Sequence, residues 1–404
     1  MKKKYTAVIV FFSTPAHGHV NPALPILSEL AKRGCRVIFY GTDEFRSEAE
    51  SVNAEFLGYE MGEIVFDTTV GSRLFELADL ILRFTLQTID KFISTVSDIS
   101  PDMIIFDTIA FWGRAVSEIT GIPSVSINAL ITVPFLFSKA FFMYTFRFSA
   151  SSFREMKYLS SVWRSTGIIR KKYRIKGTSV TDLLMNKADF NVYTYPGQLH
   201  PDKRILKENH FFLGSSSLLR KTTFSDPDEY NYKNMIYVSL GTVFNRSEKF
   251  WEMIIQSFSD SKYTVVLSSS VLSEKKEKAV FPENIIVKKY TDQRKVLKKA
   301  KLFISAGGMN SICEAAANGV PCIICPQQGE QAINAKMIQK LGLGFVLHNK
   351  KEIRKKTVQL LENYKPDEMM IREFNTIRMD ELMDKLEELM GRKNNLPWKN
   401  GGSR

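Results

Sequence analysis

LFISAGGMNSICEAAANGVPCIICPQQGEQ, residues 302–331, decides the fold. An apolar run (Leu302, Phe303, Ile304) ends in Ala306-Gly307-Gly308, and a helix opens at once at Asn310-Ser311. A strand that turns into a helix through glycines gathers free backbone N–H groups and the positive helix end at one point, an arrangement that binds anions, most often phosphate. Glu314 lies one turn into that helix, where a carboxylate can accept hydrogen bonds from sugar hydroxyls. A second buried strand follows, and Gln327, Gln328, Glu330 and Gln331 stand at its end. Phosphate donors beside a crowd of hydroxyl partners point to a nucleotide-sugar pocket.

Working outward, the same strand–helix alternation recurs along all 404 residues, too many for one core and enough for two domains. In the first half, strands are predicted over Tyr5–Phe12, Arg36–Tyr40, Met103–Phe106, Ser124–Ile127 and Phe190–Tyr193. Helices are predicted over Pro22–Arg33, stopped by Gly34, and over Leu74–Val96. The polar, turn-rich stretch from Leu213 to Asn234 reads as a linker. Beyond it, strands are predicted over Met235–Leu240, Tyr263–Leu267, Ile285–Val287, Leu302–Ile304, Pro321–Ile324 and Gly344–Leu347, with a last amphipathic helix from Pro366 to Gly391. This wiring predicts two Rossmann-like α/β units facing across a cleft, with ligands at the carboxyl ends of their strands. The division expected is 1–218, a linker at 219–234, 235–380, and a terminal helix and tail at 381–404 that packs back on the first unit.

Composition excludes several alternatives. Hydrophobic residues make up 44% and charged residues 25%, as in a folded rather than a disordered chain. The formal net charge of +13 raises nucleic acid, an anionic membrane and anionic substrates as partners. No aromatic-interleaved nucleic-acid module accompanies it, and the basic runs Lys288–Lys301 and Lys350–Lys356 read as solvated faces. Lys2-Lys3-Lys4 precedes an apolar run without a small-residue cleavage site, so no secretory signal is read. The uncharged run Ile119–Ser138 is interrupted by Gly121, Pro123, Asn128 and Pro134 and reads as strand plus loop rather than a membrane span. Cys322 and Cys325 have metal-ligand spacing, but on a short strand residues three apart face opposite ways and no second pair lies nearby. Buried thiols and a cytoplasmic location are expected.

The first strand ends in Ser13-Thr14-Pro15-Ala16-His17-Gly18-His19-Val20-Asn21-Pro22, which holds two of the five histidines. A histidine there can cap a helix or act as a general base; metal-ligand spacing to His200, His210 and His348 is lacking. Asp107, ending another strand of the same sheet, would fix the tautomer of a base and stabilise its charged form, or would simply cap the helix starting near Phe111.

Taken together, these segments resemble the GT-B-fold inverting UDP-glycosyltransferases, most closely the bacterial macrolide and flavonoid type. The resemblance covers nearly the whole chain and is sharpest at 5–40, 101–128 and 236–347. The family's G-H-V-N-P loop matches Gly18–Pro22, which implies that His19 rather than His17 is the base. Its P-D-x-x-x-x-D strand matches Pro101–Asp107, which implies that Asp107 pairs with the base. Val238-Ser239-Leu240-Gly241-Thr242 is implied near the donor phosphates, with Gly308, Asn310 and Ser311. Tyr290 and Gln293 are implied at the nucleobase, Glu314 at the ribose, and Glu330 and Gln331 at the sugar hydroxyls. Phe135, Phe137, Phe141, Phe142 and Tyr144 are either helix core or the wall of a hydrophobic acceptor pocket.

The activity implied is transfer of a hexosyl group, glucose expected, from a UDP-sugar to a hydroxyl of a polyketide-, flavonoid- or lipid-like acceptor, without metal or cofactor. The basic run Arg170–Arg174 adds an expected peripheral contact with an anionic membrane. Two positions depart from the family: Ala306 stands where its phosphate-contacting histidine belongs, and Asp292 where a proline precedes Gln293. Ala306 keeps open a different reading, a catalytically impaired GT-B protein that binds a sugar nucleotide or activates a partner enzyme.

Overall fold

The computed structural model describes residues 7–59, 74–130, 152–185, 187–201, 209–219, 230, 232–241, 248–275, 280–327 and 329–392. Two all-parallel sheets organise them. The first contains β1 (Val8–Phe12), β2 (Arg36–Gly41), β3 (Glu55–Gly58), β4 (Met103–Asp107), β5 (Ser124–Asn128), β6 (Phe190–Tyr193) and β7 (His210–Phe212), in the order β3-β2-β1-β4-β5-β6-β7. The second contains β8 (Met235–Ser239), β9 (Thr264–Ser268), β10 (Ile285–Lys288), β11 (Leu302–Ser305), β12 (Cys322–Ile324) and β13 (Gly344–Val346), in the order β10-β9-β8-β11-β12-β13. Both sheets start near the middle and reverse direction once, between β1 and β4 and between β8 and β11. Such switch points open a crevice above the strand ends, which is where doubly wound folds hold ligands.

The longer helices are α1 (His17–Lys32), α2 (Leu74–Ile99), α3 (Phe111–Thr120), α4 (Ser152–Tyr173), α5 (Met309–Ala317), α6 (Gly329–Lys340), α7 (Glu368–Asn375) and α8 (Met379–Arg392). Strands buried on both faces read as unbroken apolar runs, and β1, β4, β8 and β11 do so.

Two expectations need correction. Helix α1 begins at His17, five residues before the proline taken as its start, and so contains Pro22 and Pro25. The prolines cannot donate to the carbonyls of Gly18 and Asn21, yet burial of Val20, Ala23, Ile26, Leu27 and Leu30 against the sheet outweighs that loss. The single C-terminal helix expected over 366–391 is broken between Asn375 and Met379. There the chain crosses to the first sheet: Arg378 N donates to Leu213 O at 2.9 Å. Gly214, at φ +98°, is required at the crossing, because a Cβ on it would collide with the Thr376 carbonyl.

Beyond that crossing, Leu382, Met383 and Leu386 of α8 complete the core formed by Ile9, Phe11, Leu27 and Leu30. Arg33, buried at the end of α1, bonds Glu29 at 3.1 Å and also Asp380 at the start of α8. The two sheets are joined as well by an aromatic group, in which Tyr193, Tyr195 and Phe212 pack with Met235 and Tyr237.

Cys322 and Cys325 fall in different clusters on opposite faces of the second sheet. Burial pushes the thiols of Cys313 and Cys322 up to about 12, so neither is a nucleophile near neutrality. Among the described residues no helix is long and apolar enough to cross a membrane.

Candidate active site

The site assembles at the two switch points. After β1 the chain passes through buried Ser13 and Thr14 into the first turn of α1, which places His19 above the sheet. Asp107 ends β4, the neighbouring strand across the switch. His19 Nδ1 lies 2.8 Å from Asp107 Oδ2. An ionised carboxylate can only accept, so Nδ1 carries the proton and Nε2 is left as the basic nitrogen.

The other oxygen of Asp107, Oδ1, accepts from the Thr14 hydroxyl at 2.6 Å and from Ile109 N at 3.0 Å. The N-cap of α3 is Ala110, without a side-chain cap, so Asp107 braces the turn before that helix rather than capping it. Thr14 was not singled out from sequence; its role depends on a residue 93 positions away.

His17 has a different environment. Its ring stands edge-on to Phe45, and Nε2 is 3.6 Å from the exposed Glu44 carboxylate.

Glu330, at the start of α6, approaches from the second sheet. Burial opposes a charged imidazole at His19, but the Asp107 charge and hydrogen bond, with the Glu330 charge added, offset it. The His19 pKa is raised from 6.5 in consequence. Burial also raises Glu330, countered in part by its hydrogen bond to Asn334 and by the charge on His19. The two groups therefore favour each other's ionised forms across the cleft.

Asn334, one turn further along α6 and fully buried, donates to Glu330 Oε1 at 2.8 Å and to Gly307 O at 2.9 Å. It ties the carboxylate to the glycine turn after β11. Gly307 has φ +94° and no room for a Cβ, which would strike the Ile324 side chain. Gln331 is buried and accepts from Gln327 N at 2.7 Å, so its amide oxygen shapes the loop between β12 and α6.

Gly308 is the extended N-cap of α5, which leaves the first N–H groups of that helix with no side-chain cap. Asn310 and Ser311 occupy this turn, half-buried, and Ser239 ends the adjacent β8. Gly241 follows at φ +80° and donates to Ser239 Oγ at 3.3 Å. Gln293 Nε2 donates to Glu314 Oε2 at 2.7 Å and to Ser311 Oγ at 3.1 Å, bringing three of the sequence-selected residues together. Tyr290 stands nearby in sequence with 58% of its surface exposed. Ala306 is buried against Val238, Leu240 and Ile353, an apolar setting. Thr242 and the aromatic residues Phe135, Phe137, Phe141, Phe142 and Tyr144 lie outside the described residues.

With this geometry in view, the likenesses are informative. Residues 245–386 match the model of the glycosyltransferase family 28 C-terminal domain. The NDP-glycosyltransferase YjiC of Bacillus licheniformis is 29% identical over 346 residues, 83% of this chain and 84% of that protein. The oleandomycin glycosyltransferase of Streptomyces antibioticus is 24% identical over 345 residues, 83% of this chain and 78% of that protein. Among solved structures, the calicheamicin glycosyltransferase CalG4 superposes with a TM-score of 0.75 at 22% identity, over 96% of this chain and 99% of its own.

The fold is that of the GT-B glycosyltransferases, which the chain resembles along most of its length. It is an enzyme, and the reading of its two Rossmann-like sheets as a GT-B pair holds.

Proposed function

We propose that this glycosyltransferase inverts the anomeric centre while moving a hexosyl group, glucose expected, from a UDP-sugar to a hydroxyl of a hydrophobic small molecule. The observation that carries the proposal is the part-buried His19–Asp107 pair, set at a switch point and facing Glu330 from the other sheet. The name of the B. licheniformis relative, an NDP-glycosyltransferase, supports a nucleotide-sugar substrate, and that of the S. antibioticus relative supports a polyketide-like acceptor. The reading treats 1–218 as the acceptor half and 235–380 as the nucleotide-sugar half, joined by 219–234, with 381–404 returning to the first.

In the reaction, His19 Nε2 takes the acceptor's hydroxyl proton as that oxygen attacks the anomeric carbon. The bond from that carbon to the phosphate oxygen breaks on the opposite face, and its electron pair leaves with UDP. Attack opposite the leaving group gives a β-glycoside from an α-linked donor. Asp107 orients the ring and stabilises the imidazolium as it forms. Charge growing on the diphosphate meets the N–H groups at the start of α5, with Gly308, Asn310, Ser311, Ser239 and Gly241 around it and Thr242 assigned to the same group by the family motif, so the reaction needs no metal or cofactor. Glu330 and Gln331 hold sugar hydroxyls and Glu314 holds the ribose. Tyr290 stacks on uracil. Gln293 has committed its amide nitrogen to Glu314 and Ser311, which leaves its carbonyl oxygen for the base edge.

Phe135, Phe137, Phe141, Phe142 and Tyr144 line the acceptor side in this reading. The enzyme is cytoplasmic in this reading, and a greasy acceptor met at a lipid surface gives it peripheral contact at the inner face of the membrane. The non-catalytic alternative rested on Ala306, and the names of the relatives as transferases weigh against it.

The test is incubation with UDP-glucose, other nucleotide hexoses and a panel of hydroxylated polyketides, flavonoids and lipids, reading nucleotide release and product mass. Glycosylated product with inverted stereochemistry is expected. A protein that binds UDP yet transfers to nothing in the panel would return the non-catalytic reading.

A further inference from the structure

Helix α4 is anchored on one side only. Val162 and Ile169 are buried in the core that α2 shares with α3. The side next to this buried stripe carries large apolar groups that stay in the open: Trp163 is 81% exposed, Met156 58% and Leu159 39%. Residues seven apart on a helix return to nearly the same angle, about 10 Å further on. Met156 and Trp163 therefore form one row, with Leu159 beside them. Lys157, Arg164 and Lys171, all exposed, form the adjacent row at the same spacing. Their neighbours Arg170 and Lys172 are committed, to Thr178 Oγ1 and to Asp90, both at 2.7 Å. From Met156 to Tyr173 the sequence contains no acidic residue.

An apolar row with a row of basic side chains beside it fits one kind of occupant. An anionic bilayer offers an acyl boundary for the tryptophan and methionine and, a few ångströms outward, negative headgroups for the long basic side chains. A tryptophan with one apolar and one polar edge settles at that boundary.

We infer that the outer face of α4 docks on an anionic lipid surface, with Met156 and Trp163 entering the headgroup boundary and Lys157, Arg164 and Lys171 contacting the headgroups. The inference gives residues to the peripheral contact proposed above, but it is read out by binding, so its failure and a failure of glycosyl transfer are separate results.

The test uses the full chain and vesicles of phosphatidylcholine alone or mixed with phosphatidylglycerol. Trp112 and Trp251 are fully buried. With Trp398→Phe as background, a change in tryptophan emission reports on Trp163. The expected result is a blue shift and co-sedimentation with the anionic vesicles only, both lost at high salt. Each basic side chain near an anionic surface contributes about fivefold in partitioning. The pair Arg164→Glu with Lys171→Glu should therefore weaken binding at least about tenfold, and Trp163→Ser should weaken it while leaving circular dichroism and turnover of a water-soluble acceptor unchanged. No partitioning to anionic vesicles would overturn the inference. So would partitioning that ignores salt and all these substitutions. Self-association of the free protein, abolished by Trp163→Ser without any vesicle binding, would overturn it by showing that a second copy covers this face.

Discussion

Asn334 holds Glu330 in place: its amide nitrogen lies 2.8 Å from Glu330 Oε1 while also reaching Gly307 O at 2.9 Å. One side-chain nitrogen thus joins a cleft carboxylate to the turn that begins α5. Asn334→Ala would leave the buried Gly307 carbonyl and the part-buried Glu330 carboxylate without that donor, at about 1–3 kcal/mol for the buried one. We expect kcat/KM for the nucleotide sugar to fall by about tenfold or more, with UDP itself bound less affected. Calorimetry with UDP beside steady-state kinetics checks this. Equal weakening of UDP and UDP-sugar would assign Asn334 to the phosphate turn alone.

Glu330 also bears on pH dependence. His19 must be neutral at Nε2 to accept a proton, and its pKa is raised above 6.5. Activity should therefore fall as pH drops through a value above the ordinary imidazole range. Glu330→Gln removes one of the charges that raise His19, so the acid limb of the kcat/KM profile should move to lower pH. An unmoved limb would mean that the two groups do not communicate. For stability the sign is opposite: a raised histidine favours the fold below its unfolded pKa, and this contribution is lost as pH rises through the folded value.

The two histidines of the first strand loop should separate cleanly. His19→Ala is expected to lower turnover by about 10²–10⁴ with UDP affinity nearly intact, because the base acts on the acceptor. His17→Ala, which removes a half-exposed ring facing Glu44, should change turnover by no more than about twofold, the scale of a surface pair. The reverse ranking would move the base to His17.

In the nucleotide pocket, Tyr290→Ala should weaken UDP by about 1–3 kcal/mol through lost stacking. Glu314→Ala should weaken it too, by removing a ribose acceptor and by releasing the Gln293 amide it now holds. Calorimetry that finds UDP affinity unchanged in both variants would place the nucleotide elsewhere.

Ala306→His sets two effects against each other. A ring reaching the diphosphate should tighten UDP binding by about 2–10-fold, one net hydrogen bond. The methyl it replaces is packed among Val238, Leu240 and Ile353, so the larger side chain should also cost about 1–3 kcal/mol of stability. Thermal unfolding with and without UDP separates the two. Lower stability with no gain in affinity would mean that the ring stays in the apolar cluster.

Much of the architecture was legible because parallel strands buried on both faces must be apolar throughout, as at β1, β4, β8 and β11. The edge strands β3 and β7 were not, since Glu55–Gly58 is largely exposed and His210–Phe212 is only three residues long. The start of α1 was misplaced because a proline is favoured in a first turn, whereas here packing of the helix face decides. The break in the C-terminal helix left no local mark, for it is imposed by the passage of residues 376–378 beside Gly214. His19 and Asp107 could be read from strand ends and motif. Thr14 and Asn334 could not, because each acts through an acceptor distant in sequence and neither carries a distinctive neighbourhood.

The return of α8 to the first sheet also bears on how the protein is made. Synthesis delivers β1 and α1 hundreds of residues before Leu382, Met383 and Leu386, the side chains that close over them. Until α8 clears the ribosome, that flank of the first sheet is an open apolar surface, and Arg33 lacks Asp380. The first sheet, though translated before the second, is thus finished after it.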